Sequence, residues 1–551
     1  MVGGSRHLIT VPAYGYNRID IRLSVVPMAD GRWPMADGRW KTEDGRARLL
    51  MSHPLRRAAA VLAALLLTLT PLAGTPAAAD SPVPTDPFAA LDTYVRERMQ
   101  ATRTPGLAYA VVGPDGPVHA RSWGTDGNGR PVTASTPFLW GSVAKPIAAT
   151  AVMTLVQDGR LRLDDPVVDH LPAFRFGGAD HAGRVTVRHL LQQTAGIPES
   201  ATSAVTDCFD ADCPDAAGRI AELDRVRPLG PPGTTYAYTS ANYLVLAALV
   251  ESVTGRSYAD HLRDGVLRPA GMDGAIADRA SARERKLPPG HQFLWGVPSA
   301  IADGVDDAGA AYGYAGGDLE DLAAFASFQL RSGRTTGGEA VLTPESIRLM
   351  RQSGRLHPSG AATGYGLGWR VGGLEAPLDS AVWHTGATPG YSAMLFLLPE
   401  QNRALVLQQN LHGLLQDAAV MDVGFGAARI LAGGTPAEPP SAATYNVTVW
   451  ALTALALVLL AETCHSFRLL RRSGSRRIAP AALWCLTGAT PTAVLVAALA
   501  LVGPGTLWTW TPDAFTALCA AALAGTAVIA LRLGAALADR RGTRRRGVPL
   551  R

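Results

Sequence analysis

Apolar positions change their period several times along this chain, and the changes mark its elements. After a proline-rich stretch, Ser81 to Pro87, apolar residues from Phe88 to Met99 recur at helical spacing. Gly106 to Val112 and Val118 to Trp123 read as strands joined by the turn Pro114-Asp115-Gly116. Ser142 opens a helical pattern that runs through Ile147, Ala151 and Leu155 and stops near Gly159. Pro146 fits there, because first-turn N–H groups of a helix have no intrahelical partner. Val185 to Gln193 and Asn242 to Val253 are further helical stretches, and strand-like runs return at Gly366–Val371, Ser392–Leu398 and Ala404–Gln408. Strands at both ends of a helical middle predict an α+β domain whose terminal segments share one sheet.

Outside that domain the pattern is of another kind. A linker, Gly433 to Pro440, leads to three long apolar runs at roughly 446–463, 481–503 and 514–538, each near the length that spans a bilayer. Arg468, Arg471, Arg472, Arg476 and Arg477 follow the first run, and Arg540, Arg541 and Arg544 to Arg546 follow the third. The loop between the second and third runs, Pro504 to Pro512, has two tryptophans and no Arg or Lys. The positive-inside rule puts both arginine clusters in the cytoplasm and the domain outside. At the other end, Arg56-Arg57, the apolar run Ala58 to Leu69 and Ala77-Ala78-Ala79 before Asp80 predict a secretory signal at 51–79, with an uncleaved anchor helix as the alternative. Residues 1–50 contain a tandem PMADGRW, at Pro27–Trp33 and Pro34–Trp40, and no hydrophobic period; they are expected to be non-structural, with Met51 as the true start. The expected order is therefore extension 1–50, signal 51–79, domain 80–432, linker 433–445, membrane helices 446–538 and basic tail 539–551.

Charge sharpens this division. The pI is near 9.0, yet residues 80–439 carry about −9 once both termini are set aside. A domain without a general basic surface is not expected to bind nucleic acid. Cys208 and Cys213 flank a short polar loop and are a disulfide pair in an exported domain, or else two surface thiols. Cys464, Cys485 and Cys519 are expected to pack within apolar stretches, and no motif points to a metal.

The 51 basic residues include only three lysines, Lys41, Lys145 and Lys286. Lys145 stands in Trp140-Gly141-Ser142-Val143-Ala144-Lys145-Pro146, three residues after a serine in an otherwise uncharged stretch. Arginine cannot give up its proton in a protein, whereas a desolvated lysine can. On a helix, residues i and i+3 share a face, so a neutral Lys145 amine would activate the Ser142 hydroxyl as a nucleophile.

Ser142-x-x-Lys145, Tyr238-Thr239-Ser240 and His384-Thr385-Gly386 occur in that order, with flanks that include Pro232-Gly233-Thr234, Tyr365-Gly366-Leu367-Gly368-Trp369 and Pro389-Gly390-Tyr391-Ser392. Over roughly 88–432 the chain resembles the serine β-lactamase and penicillin-binding-protein superfamily, on the branch of class C β-lactamases, D-alanyl-D-alanine carboxypeptidases and esterases. The resemblance implies an antiparallel sheet flanked by helices with an all-helical subdomain, and an acyl-enzyme on Ser142 with no cofactor. It implies that Tyr238 shuttles protons and that the N–H groups of Ser142 and Ala387 form an oxyanion hole. It gives Ser240, His384, Thr385 and Gly386 to substrate binding. The chain departs from the family pattern at Ser240, where asparagine is usual, while Asn242 stands two residues late. That tilts the expectation from β-lactamase towards a D-amino-acid peptidase or esterase, as does His384 in place of lysine. A catalytically degenerate, penicillin-recognising sensor or envelope-binding protein is the rival expectation. The expected partners are a peptide, ester or β-lactam substrate and the membrane.

Overall fold

The computed structural model describes residues 87–352, 355–356, 364–471 and 481–546. The expected signal segment 51–79, the extension 1–50, the arginines at 472, 476 and 477 and the last five residues lie outside them.

The first helix, α1 (Ala89–Ala101), leads into the hairpin β1 (Gly106–Gly113) and β2 (Gly116–Gly124). After the short β3 (Phe138–Leu139) comes α2 (Ala144–Gln157), and after several short helices α3 (Ala241–Thr254). A second hairpin, β4 (Gly290–Leu294) and β5 (Val297–Ala302), precedes β6 (Gly316–Gly317) and α4 (Leu319–Leu330). The chain then forms β7 (Arg355–Leu356), β8 (Gly364–Tyr365), β9 (Arg370–Val371), β10 (Val382–Thr388), β11 (Tyr391–Leu398), β12 (Arg403–Gln409) and α5 (Asp417–Leu431).

Eight of these strands form one antiparallel sheet in the order β2-β1-β12-β11-β10-β9-β8-β7. The first strand of the domain thus pairs with its last, Leu107 opposite Gln409, and closes the fold across the helical middle. Side chains alternate between faces at period two, and in the central strands β1, β11 and β12 both faces are dry. Leu107, Tyr109 and Val111 pack with Leu91, Val95, Met421 and Ala427, which puts α1 and α5 on one face. Ala108, Ala110 and Val112 join the larger core of α2, α3 and α4 on the other. β1 is buried at all eight positions, so it reads as an apolar run rather than an alternating strand.

Two predicted elements differ from their sequence reading. The strand expected at Gly366–Val371 is a turn, with the Gly366 N–H donating to Trp369 O at 2.8 Å, and only Arg370 and Val371 pair with β10. The pattern beginning at Ser142 starts as a 3₁₀ turn, Gly141–Val143, before α2 proper.

Three further helices, α6 (Ala443–Arg471), α7 (Ala481–Leu501) and α9 (Pro512–Arg546), contain spans of 26, 19 and 24 residues long and apolar enough to cross a membrane. A short α8 (Pro504–Trp510) joins the last two. Val447, Trp450, Leu457 and Leu460 project outwards from α6, and Leu486, Val496 and Leu501 from α7. Apolar belts of this extent are compatible with contact with lipid. Cys464 is exposed on α6 rather than packed inside.

Candidate active site

α2 is a buried helix whose only ionisable side chain is Lys145, itself fully buried. It is preceded by Gly141 in the left-handed region (φ 55°), which turns the chain and leaves Ser142 half-exposed at the edge of the core. A Cβ at Gly141 would lie 2.1 Å from the Ala387 nitrogen, and one at Gly386 would lie 2.0 Å from Trp140 O and 2.6 Å from the Ser142 nitrogen. Glycine at both positions therefore lets β10 lie directly against the serine turn, backbone on backbone. The indole of Trp140 fixes that turn from behind, its Nε1 donating to Gln408 Oε1 of β12 at 2.9 Å.

Lys145 Nζ lies 2.8 Å from Ser142 Oγ, 3.2 Å from Ser240 Oγ and 2.7 Å from the Tyr312 carbonyl oxygen. It also sits over two rings, 5.0 Å from the centroid of Tyr238 and 5.5 Å from that of Tyr243. Burial holds its pKa well below the ordinary lysine value of 10.5, and the nearby Arg370 guanidinium pushes in the same direction, against the opposing pull of Asp207. Serine, amine and tyrosine ring thus meet in one place. Ser240 takes a bond from Lys145, while Asn242, in the first turn of α3, turns away and donates to the buried Gln193 Oε1 at 2.5 Å.

The third motif lies on β10. β9 pairs with β10 only at Val382 and Trp383, so from His384 onwards that edge meets the serine turn instead. His384 is buried, and its Nε2 pairs with the Tyr365 hydroxyl at 3.2 Å. Burial, Arg370 and Lys145 together hold its pKa well below 6.5, so the ring is neutral near pH 7. Thr385 and Ala387 are partly open and Gly386 is covered. Cationic charge at this end of the cleft comes from Arg370, whose guanidinium carbon lies 5.1 Å from the Tyr238 ring centroid and 5.4 Å from that of Trp383.

Arg370 and Tyr312 escaped the sequence reading. Arg370 is one arginine among many, and Tyr312 acts through a carbonyl that any residue would supply. The loop beside them is held by a Cys208–Cys213 disulfide and by Arg219, which forks onto both oxygens of the buried Asp306 at 2.6 Å. Asp306 accepts in turn from the Tyr312 hydroxyl. Among the described residues no cluster of His, Cys, Asp and Glu has a metal-binding arrangement.

Residues 91–423 match the family described as Beta-lactamase. The chain is 34% identical over 330 residues to penicillin-binding protein 4 of Amycolatopsis lactamdurans, covering 57% of this chain and 84% of that one. It is 25% identical over 349 residues to protein flp of Staphylococcus aureus (strain MW2), covering 58% of this chain and 63% of that relative's length. Among solved structures it is similar to the octameric penicillin-binding protein homologue of Pyrococcus abyssi, with TM-score 0.54 and 22% identity over 65% of this chain and 80% of that one. It is also similar to EstCE1, a hydrolase with promiscuous acyltransferase activity, with TM-score 0.52 and 20% identity over 61% of this chain and all of the other. Both likenesses are of fold.

Proposed function

The chain belongs to the beta-lactamase family, and from that premise we propose that it is a membrane-anchored, extracytoplasmic serine hydrolase with Ser142 as its nucleophile. The observation that carries the reading is the triple contact of Lys145 Nζ. A neutral amine has two N–H bonds and one lone pair. The Tyr312 carbonyl can only accept, so one N–H is committed there, and Ser240 Oγ takes the second. The lone pair is left for the Ser142 hydroxyl.

Ser142 Oγ then attacks a substrate carbonyl while its proton passes to Lys145. The developing oxyanion accepts from the N–H groups of Ser142 and Ala387, each worth on the order of 3 kcal/mol. Tyr238 relays a proton to the leaving group, which departs, and the acyl group stays on Ser142. Water, deprotonated through the same Tyr238 and Lys145 pair, attacks the ester and restores the serine. No cofactor takes part.

Peptides of D-amino acids, esters and β-lactams are the substrates this reading supports. The name of the Amycolatopsis relative favours penicillins among the acylating ligands, and Ser240 in place of a longer amide favours substrates that need no grip on an acylamino carbonyl. The three spans support anchoring. The contact of α8 with the hydrolase domain supports a topology in which that loop and the domain share one side. Disposition of the domains follows the order 80–432, linker and membrane helices.

Full-length protein in detergent, incubated with a fluorophosphonate or a labelled penicillin, should carry one adduct, on Ser142, and Ser142→Ala should carry none. An intact protein that takes no adduct at any concentration removes the proposal. Ser240 also favours a second reading, a sensor that is acylated and not turned over; an adduct that persists for hours without ester or lactam turnover would select it.

A further inference from the structure

The membrane module does more than end near the hydrolase domain; it is hydrogen-bonded into it. Gln292 Nε2 of β4 donates to the Thr509 carbonyl at 2.7 Å, and the Trp295 N–H donates to Asp513 Oδ2 at 3.0 Å. Tyr445, near the start of α6, donates its hydroxyl to the same carboxylate at 2.6 Å and accepts from the Gly296 N–H at 2.7 Å. Between these anchors the last residue of α8 reaches furthest. Trp510 packs edge-on against His412, ring centroids 5.6 Å apart, and its Nε1 donates to Asp207 Oδ2 at 2.7 Å.

Asp207 is a half-buried carboxylate with fixed partners. Its backbone is left-handed (φ 60°), its other oxygen accepts from the Tyr314 hydroxyl at 2.8 Å, and its N–H donates to the Tyr312 hydroxyl at 3.1 Å. Tyr312 is the residue whose carbonyl holds Lys145. An unbroken path therefore runs from α8 through Asp207 and Tyr312 to the amine beside Ser142. Trp510 satisfies one oxygen of a half-buried carboxylate, and removing the donor leaves that oxygen to be paired another way.

We propose that Trp510 is a positioning residue of the hydrolase site: the membrane module supplies the donor that holds Asp207, and thereby the Tyr312 carbonyl, in register with Lys145. The inference rests on the serine-hydrolase reading above. Its physical consequence is that the site is complete only when α8 is seated.

The test uses the full chain in detergent with a chromogenic ester, all rates being taken per site titrated by fluorophosphonate so that misfolded protein drops out. Trp510→Phe keeps the ring and loses the N–H. It should lower kcat about fivefold or more with KM changed less than twofold. Asp207→Leu, which removes the acceptor, should fall at least as far, and the double variant should be no slower than the slower single, as expected of two groups acting through one contact. Gln292→Ala, which loosens the seat and leaves Trp510 and Asp207 intact, should lower kcat about two- to threefold. Unchanged kcat in both Trp510→Phe and Gln292→Ala overturns the proposal, as do losses from Trp510→Phe and Asp207→Leu that multiply. A wild-type chain that neither titrates nor turns over removes the hydrolase reading itself, which is a separate result.

Discussion

Lys145 ties folding and chemistry to the same proton, with consequences of predictable sign. Its folded pKa is depressed by burial and by Arg370, so between that lowered value and 10.5 the unfolded chain binds the extra proton. The contribution of Lys145 to stability should therefore rise with pH through this window, and at lower pH it stays a fixed penalty. The rate of Ser142 labelling should rise with pH up to the lowered pKa and then level off, as a stopped-flow pH series would record. Lys145→Arg, which cannot deprotonate, should lose on the order of 10³ or more of that rate at every pH. A labelling rate that falls as pH rises would mean the amine works as a cation. At this scale the contact of Lys145 with Ser142 was legible from residue type and i+3 spacing, whereas Tyr238 was reached only through the family resemblance. The neutrality of His384 was not legible, since it follows from burial under Tyr365 and from the charge of Arg370, which tertiary packing alone brings near.

At the scale of elements, the proposed pair of oxyanion donors depends on the placement of β10. Gly386→Ala would push a methyl group to 2.0 Å from Trp140 O and 2.6 Å from the Ser142 nitrogen. Strand and turn would have to separate, and the pair of N–H donors with them. The expected outcome is a loss of about 100-fold or more in acylation with a lowered melting temperature, read by labelling kinetics and calorimetry. Acylation within threefold of wild type would place the oxyanion elsewhere. Helix α1, the β1–β2 hairpin, α2, α3, β11 and β12 could be anticipated because each carries its own period and turn residues. The β4–β5 hairpin could not be. It falls between Ala277 and Ala310, where no pattern stood out, because β5 has little buried surface and β4 is covered by residues distant in sequence such as Leu411 and Tyr445. Its role in seating α8 was equally invisible.

At the scale of the whole molecule, the membrane helices hold one another through polar contacts that hydropathy does not display. Glu462 of α6 pairs with Arg532 of α9, both nearly buried, and accepts from the Ser466 hydroxyl at 3.1 Å. Charges at such positions are costly unless matched. Glu462→Ala should destabilise the protein by about 3 kcal/mol by stranding the guanidinium, seen as a lower unfolding temperature in detergent. Replacing both partners with leucine should recover most of the loss. Melting unchanged in Glu462→Ala would mean the pair contributes nothing to helix association. The sequence reading counted the spans and oriented them from the arginines. It missed this pair because only tertiary packing brings Glu462 and Arg532, 70 residues apart, together.

α7 meets α9 where Gly488 faces Gly525, and a Cβ built on Gly525 would fall 2.3 Å from the Gly488 carbonyl. One added carbon at Gly525 would pry those two helices apart. The short bracket that joins them, Pro504 to Trp510, would be tugged along, so an alteration between two distant helices would be felt as a slackening beside Ser142.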